Sequence, residues 1–188
     1  MRLEDVVHLR ALNYRRTRER RVQTVEAARA FVEEMGFCHF WPIKNIEMPN
    51  LFHAIAGRVR SVPNEHDDPD ISKCWGWKDR SLDKRWWYYG KLLRRRATLV
   101  SLDMLPYFYA LSENYGDLDD YLQEYEDGKL TAEAKAIYEA ILEHGPLNTV
   151  RLRREARMSA ESAKSRFDRA LIELQVGLKV IPIGGAQA

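Results

Sequence analysis

The stretch TAEAKAIYEAILEHGPLNTVRLRREARMSAESAKSRFDRALIELQVGLKVIPI, Thr131–Ile183, is punctuated clearly enough to decide a fold. Thr131 stands where a helix N-cap belongs. Ala134, Ile137, Tyr138, Ile141 and Leu142 then recur at helical spacing until Gly145-Pro146 stops the run. A second helix fits Val150 to Ala156. Arg157-Met158-Ser159 makes a tight turn, and Ser159 is the expected cap of a third helix with Ala163, Phe167, Ala170, Leu171 and Leu174 inward. Val176-Gly177-Leu178 breaks that helix, and Lys179–Ile183 reads as a strand. Helix, helix, tight turn, helix, strand is the order of a winged helix-turn-helix. A wing needs two strands, and one precedes the terminal IGGAQA, so this wing is expected to be incomplete.

Working back toward the N-terminus, the signals stay helical. Residues 4–21 carry Val6, Leu9 and Leu12 at helical steps. Thr24 caps a cleaner helix with Val25, Ala28, Phe31, Val32 and Met35 on one side, and Gly36 closes it. FCHFWPI then leaves the helix, because Pro42 disfavours helical backbone at Trp41. Leu51, Phe52, Ile55, Ala56 and Val59 give another apolar stripe, and residues 61–73 are polar and turn-rich. Residues 73–96 interleave Trp75, Trp77, Trp86, Trp87, Tyr88 and Tyr89 with lysines and arginines. Pro106 fixes the start of a further helix near Asp103. The expected fold is mainly α with short strands, built as tandem winged helix-turn-helix modules. The acidic segment around Asp117–Asp127 sets the boundary, giving residues 1–128 as an N-terminal helical, winged-helix-like domain and 129–188 as the C-terminal module.

The charges are segregated although the total is only +2. Arg15, Arg16, Arg18, Arg20 and Arg21 form one basic run, Lys84 to Arg96 a second, and Arg151, Arg153, Arg154 and Arg157 a third. Segregation of this kind suits an anionic partner that binds one surface. Aromatic rings among cations suit nucleic acid, since rings stack on bases while cations meet phosphates. The expected partner is double-stranded DNA. The third helix of the C-terminal module would enter the major groove with Glu161, Ser162, Ser165, Arg166 and Arg169 outward. Arg94, Arg95, Arg96, Arg151 and Arg154 complete the candidate nucleic-acid-binding set. No apolar run reaches the roughly 18 residues of a membrane span, so no membrane partner is expected. Two cysteines, Cys38 and Cys74, are too few for a disulfide framework and point to a reducing cytoplasm. They lack the C-x-x-C pairing of a zinc site, even with His39, His53 or His66 considered, so neither metal nor cofactor is expected.

EAARAFVEEMGFCHFWPIKNIEMPNLFHAIAGR (residues 26–58) and GPLNTVRLRREARMSAESAKSRFDRALIELQVGLKVIPIG (145–184) together resemble the AlkZ/YcaQ winged-helix DNA glycosylases and their AlkZ-related relatives. The resemblance implies tandem winged-helix modules on duplex DNA and metal-free hydrolysis of the N-glycosidic bond of alkylated bases. It also implies a motif after the helix-ending glycine: Gln, an apolar residue, then Gln or Asp. Here His39 stands at the first Gln, Phe40 at the apolar position and Trp41 at the Gln or Asp. Such a site needs an amide or carboxylate to position water. Trp41 offers only an indole N–H, whereas His39 is a potential base. His39 and Trp41 are therefore the candidate catalytic residues by position alone. Three functions follow. The first is a DNA-binding protein with weak or lost catalysis. The second is an active glycosylase in which His39 activates water and Glu47 or the loop carboxylates Glu65, Asp67, Asp68 and Asp70 steady the sugar cation. The third is a winged-helix protein-interaction module whose aromatic groove holds a peptide.

Overall fold

A computed structural model describes residues 2–64 and 67–184. Glu65 and His66, considered above, lie outside the described residues, as does the tail after Gly184. The protein is mainly helical with one small antiparallel sheet. It divides into two compact units, one running to Pro106 and one from Tyr107 to Ile181.

The N-terminal unit opens with α1 (Leu3–Asn13), which buries none of its residues; the expected inward stripe of Val6, Leu9 and Leu12 is not buried and the helix stops eight residues early of Arg21. α2 (Val25–Met35) matches its sequence signals. Thr24 Oγ1 accepts the Ala27 N–H at 3.1 Å, and Gly36 closes the helix at φ 73°. That angle favours glycine, and a Cβ there would lie 2.9 Å from the Met104 side chain. β1 (Phe37–His39), α3 (Leu51–Ala56), α4 (Pro69–Lys84), β2 (Trp87–Lys91) and β3 (Ala97–Ser101) follow. The strands pair antiparallel in the order β1-β3-β2, with His39 opposite Thr98 and Thr98 opposite Gly90. Alternation puts Cys38, Leu99, Ala97, Trp87 and Tyr89 on one face, where they join the core of α2 and α4 with Phe31, Phe40 and Phe52. His39, Thr98, Val100 and Tyr88 occupy the other face and are buried as well. A sheet buried on both faces shows no polar–apolar alternation. This is why residues 86–101 read from the sequence as an aromatic-basic segment without strands.

α5 (Leu105–Ala110) has Pro106 in its first turn, as expected, and lies across the change of unit. In the C-terminal unit, α6 (Asp120–Glu126) occupies the acidic segment, and its Tyr121 is buried against Tyr138 at a ring separation of 5.1 Å. α7 (Ala132–His144) begins at Thr131, whose Oγ1 accepts the Ala134 N–H at 3.2 Å. α8 (Thr149–Glu155) is capped by Asn148. α9 (Lys164–Val176) starts four residues later than a Ser159 cap would place it. A 3-10 turn, Glu161–Ala163, intervenes, and no side chain caps α9. Ala163, Phe167, Ala170 and Leu174 face inward as the spacing predicts. The expected strand at Lys179–Ile183 does not form. Leu178 turns into the left-handed region at φ 51°, the Lys179 N–H bonds the Leu174 carbonyl, and no described strand of this unit offers a ladder.

Candidate nucleic-acid interface

The connection between β2 and β3 carries Arg94, Arg95 and Arg96. Arg94 (φ 52°) and Arg95 (φ 57°) both sit in the left-handed region. Tight hairpins ask for two such residues and are built most easily with Asn-Gly. Placing Arg-Arg there costs roughly 1–2 kcal/mol per residue. The turn is stapled by Thr98, whose Oγ1 accepts the Leu93 N–H at 3.2 Å and donates to the Arg96 carbonyl at 2.8 Å. All three arginines are exposed, and none makes an ion pair among the described residues. Three guanidinium groups thus project from a fixed turn with no carboxylate of the described residues paired to them.

The helix before this hairpin is anchored at its N-terminus. Asp68 caps α4, accepting from the Asp70 and Ile71 N–H groups at 3.0 and 3.1 Å. Arg60 donates to both Asp68 oxygens at 2.6 and 2.7 Å and lies 4.8 Å over the Phe52 ring. That guanidinium holds the Asp68 carboxyl below the usual carboxylate range. His53 closes the loop between α3 and α4, with Nδ1 3.1 Å from Asn50 Nδ2 and Nε2 2.8 Å from the Arg60 carbonyl. The outward side of α4 presents Ser72, Lys73, Trp75, Gly76, Asp79 and Arg80.

His39 and Trp41 do not share a surface. His39 is 2% exposed, and its backbone N–H is taken by the Pro49 carbonyl at 3.0 Å. Neither ring nitrogen makes a hydrogen bond of normal geometry. Burial pushes the imidazole pKa below its ordinary value. The Ala97 carbonyl, already occupied by the Phe40 N–H, opposes that shift, and the Arg94 guanidinium adds to it. Trp41 is half-buried among rings: Phe40 at 4.7 Å, Phe52 at 5.5 Å and Trp75 at 5.8 Å. Three of the carboxylates considered as helpers, Glu47, Asp68 and Asp70, are engaged elsewhere, and Asp67 is exposed. Glu47 pairs with Arg16 at 2.9 Å and Arg10 at 3.8 Å, and Asp68 and Asp70 pair with Arg60. Cys38 and Cys74 are buried thiols whose pKa values burial pushes up. Among the described residues no three His, Cys, Asp or Glu side chains cluster as a metal site would require.

The C-terminal candidates are exposed, and three of the four arginines lie within ion-pair distance of a glutamate, two of them sharing Glu155. Arg166 pairs with Glu133 at 3.2 Å, Arg154 with Glu155 at 3.1 Å, and Arg151 with Glu155 at 3.6 Å. Arg169 Nε donates to the Ser165 carbonyl at 3.3 Å. Ser162 in the 3-10 turn and Ser165 on α9 are both exposed, between Glu161 and Asp168 in the sequence. The two units also differ in sign. Through Pro106 the chain has 20 Lys and Arg against 14 Asp and Glu, and from Tyr107 to Ile181 it has 10 against 14. Their formal charges are therefore +6 and −4. Reading arginine clusters from the sequence missed this, because carboxylate partners such as Glu133 come from distant positions. Counting both signs over each whole unit exposes the difference.

No helix among the described residues is long and apolar enough to cross a membrane. A family model described as AlkZ related matches residues 22–188. No curated protein and no solved structure matches the chain.

Proposed function

The chain belongs to the AlkZ-related family, and from that membership we propose that it is a winged-helix protein that binds double-stranded DNA without excising bases. The observation that carries this reading is the hairpin tip, where Arg94, Arg95 and Arg96 are exposed and without an ion pair among the described residues, on a unit of charge +6. The order of elements supports it. α2, β1, α3, α4 and then the β2–β3 hairpin, with sheet order β1-β3-β2, is how a winged helix runs, and the hairpin tip is the wing. The second module of the tandem pair lies within 129–188, with α8, the turn and α9 as its helix-turn-helix. Guanidinium groups on a stapled turn can meet phosphates without reordering of the backbone that carries them, and doing so releases counterions from the duplex.

Loss of catalysis rests on His39 and Trp41. A base that removes a proton from water must reach that water. His39 is walled from solvent, its pKa is lowered by burial, and no carboxylate bonds its ring. Trp41 spends its ring on Phe40, Phe52 and Trp75.

The test is duplex binding across a salt series, paired with an excision assay on alkylated duplex. Contact with about 4–6 phosphates gives a log–log slope near −4 to −5. Replacing Arg94, Arg95 and Arg96 with alanine should flatten that slope by about 2.7, close to 0.9 per phosphate. A wild-type slope near zero overturns the DNA reading. Excision with turnover, abolished by His39→Ala, overturns the loss of catalysis and restores a working glycosylase with a histidine base.

A further inference from the structure

The basic run over residues 15–21 does two different things in the folded chain. Arg15 pairs with Glu34, and Arg16 pairs with Glu47 at 2.9 Å and donates to the Met48 carbonyl at 2.8 Å. Those two arginines fasten the start of the loop between α1 and α2. Its far end is fastened by Val22, which is buried and whose N–H bonds the Ala54 carbonyl of α3 at 2.8 Å. Between the two anchors the chain turns, with the Arg20 N–H on the Thr17 carbonyl at 3.2 Å. Arg18, Arg20 and Arg21 are exposed there and make no ion pair among the described residues. A fourth arginine joins them. α3 ends on Gly57 in the left-handed region at φ 66°, and a Cβ there would lie 2.9 Å from the Arg21 Cβ and 3.1 Å from the Thr17 carbonyl oxygen. The Gly57 backbone is therefore seated on the turn, and the next residue, Arg58, is exposed and likewise without an ion pair among the described residues. Glu19, between Arg18 and Arg20, is exposed and pairs with none of the four, so four arginines against one glutamate give the patch a formal charge of +3.

Like charges gathered on a pinned loop repel one another, and an anion set among them relieves that repulsion. Guanidinium forks match the oxygens of a phosphate. We infer that Arg18, Arg20, Arg21 and Arg58 form a second phosphate-binding patch, which holds the backbone of the duplex that the hairpin binds. The two surfaces stand on one connected scaffold. Thr98, which staples the hairpin turn, is paired with His39, and His39 bridges to Asn50, which caps α3. The six residues of α3, about 9 Å long, end at the patch. One turn of duplex, about 34 Å, is long enough to meet both. Arg18, Arg20 and Arg21 precede residue 22, where the match to the family begins, so three of the four lie outside the matched residues. The inference rests on the DNA-binding reading above and adds a binding surface to it.

The experiment is the salt series on a fully paired duplex with the intact chain. Of an expected slope near −4 to −5 the hairpin accounts for about 2.7, and the balance corresponds to about two further phosphates. Replacing Arg18, Arg20, Arg21 and Arg58 together with alanine should flatten the slope by about 1.8, and adding the hairpin replacements should bring it close to zero. Replacing the same four with lysine should keep the slope within about 0.5 of wild type, because counterion release follows charge. Glu19→Lys removes no arginine and should steepen the slope by about 0.9, so it tests the patch even where the alanine variant fails to fold. A four-alanine variant within about 0.5 of the wild-type slope overturns the inference and leaves the DNA reading standing, as does a Glu19→Lys slope that does not move. A wild-type slope near zero removes both. Equal flattening by the lysine and alanine replacements would mean that these arginines act through packing and not through charge, and overturns the patch too. Vesicles of equal parts phosphatidylserine and phosphatidylcholine offer phosphate from another source. A wild type that binds them, with that binding lost in the four-alanine variant and the duplex slope unchanged, assigns the patch to a membrane surface and overturns it.

Discussion

Arg94, Arg95 and Arg96 stand exposed on a strained hairpin turn without a carboxylate partner among the described residues, whereas Arg151, Arg154 and Arg166 are each within ion-pair distance of Glu155 or Glu133. In the sequence these clusters look alike: short runs of arginine beside apolar residues. In the folded chain they differ in what a phosphate would gain. An arginine already facing a glutamate must give up that partner, and the glutamate left behind repels the incoming anion. An unpaired arginine meets the phosphate with no such loss. The same contrast holds for whole units, +6 against −4. Under the proposed function, long-range attraction would draw DNA toward the N-terminal unit, although the C-terminal unit carries the more legible helix-turn-helix pattern in its sequence.

The largest expected effect separates the units through the C-terminal core. Phe167 is fully buried with Ala163, Ala170 and Leu174, and the Arg153 guanidinium lies 5.8 Å from its ring. Phe167→Ala removes that ring and should cost about 3–5 kcal/mol. All five tryptophans fall at or before Trp87, so tryptophan emission reports on the N-terminal unit alone. In urea the variant should lose helical circular dichroism early while its tryptophan transition stays put. Duplex affinity should stay within about threefold if the hairpin carries binding. Joint movement of both transitions, with loss of DNA binding, would break the comparison.

What could be read from the sequence was what is decided locally. Thr24, Gly36, Thr131 and Gly145 act within one turn of themselves, and the ends of α2 and α7 follow from them. The inward face of α9 follows from apolar spacing, because one side of that helix meets the core. The hairpin was hidden for three physical reasons. All five residues of β3 are buried, so no alternation marks it. α4 ends on Arg85 in the left-handed region at φ 52°, where glycine is the usual signal. Gly90 makes room for the Tyr88 ring two residues back on the same face of β2, with the hydroxyl 2.3 Å from where a Cβ would be, yet in the sequence a glycine reads as a break in a strand. The burial of His39 was equally illegible. A histidine between apolar neighbours reads as a functional group until the facing strand is known. Ser159 failed as a cap because a 3-10 turn took up the residues between it and α9.

A second, smaller contrast between the units lies in pH. His39 and His53 both belong to the N-terminal unit, and burial lowers both pKa values. A histidine whose folded pKa is depressed binds its proton more readily when unfolded. Stability is therefore fully present above the unfolded value near 6.5 and falls as pH drops below it. Each histidine that stays neutral in the fold contributes a limiting slope of about 1.4 kcal/mol per pH unit. The urea midpoint read by tryptophan emission should move down between pH 7.5 and 5.5. The helical signal of the C-terminal unit, which holds neither of these buried histidines, should move far less. Equal movement of both signals would mean that these histidines are not what the N-terminal unit loses on acidification.

The smallest expected effect is the most direct test of pairing. Arg166 and Arg169 stand on the outward side of α9, where a recognition helix would offer them to DNA. Arg166 is tied to Glu133 at 3.2 Å, and both side chains are partly in solvent, so the pair contributes roughly 0–1 kcal/mol. Arg169 holds the Ser165 carbonyl, with Asp168 beside it in sequence. Replacing both with alanine should change stability by less than about 1 kcal/mol. It should also leave the slope of log Kd against log salt within about 0.5 of wild type, because neither side chain is among the proposed phosphate contacts. Two lost phosphate contacts would instead flatten the slope by about 1.8. That outcome would mean Glu133 releases Arg166 when DNA arrives, at a cost the phosphate repays. Static pairing would then be a poor guide to which unit touches the duplex, and the C-terminal helix would regain the role its sequence pattern suggests.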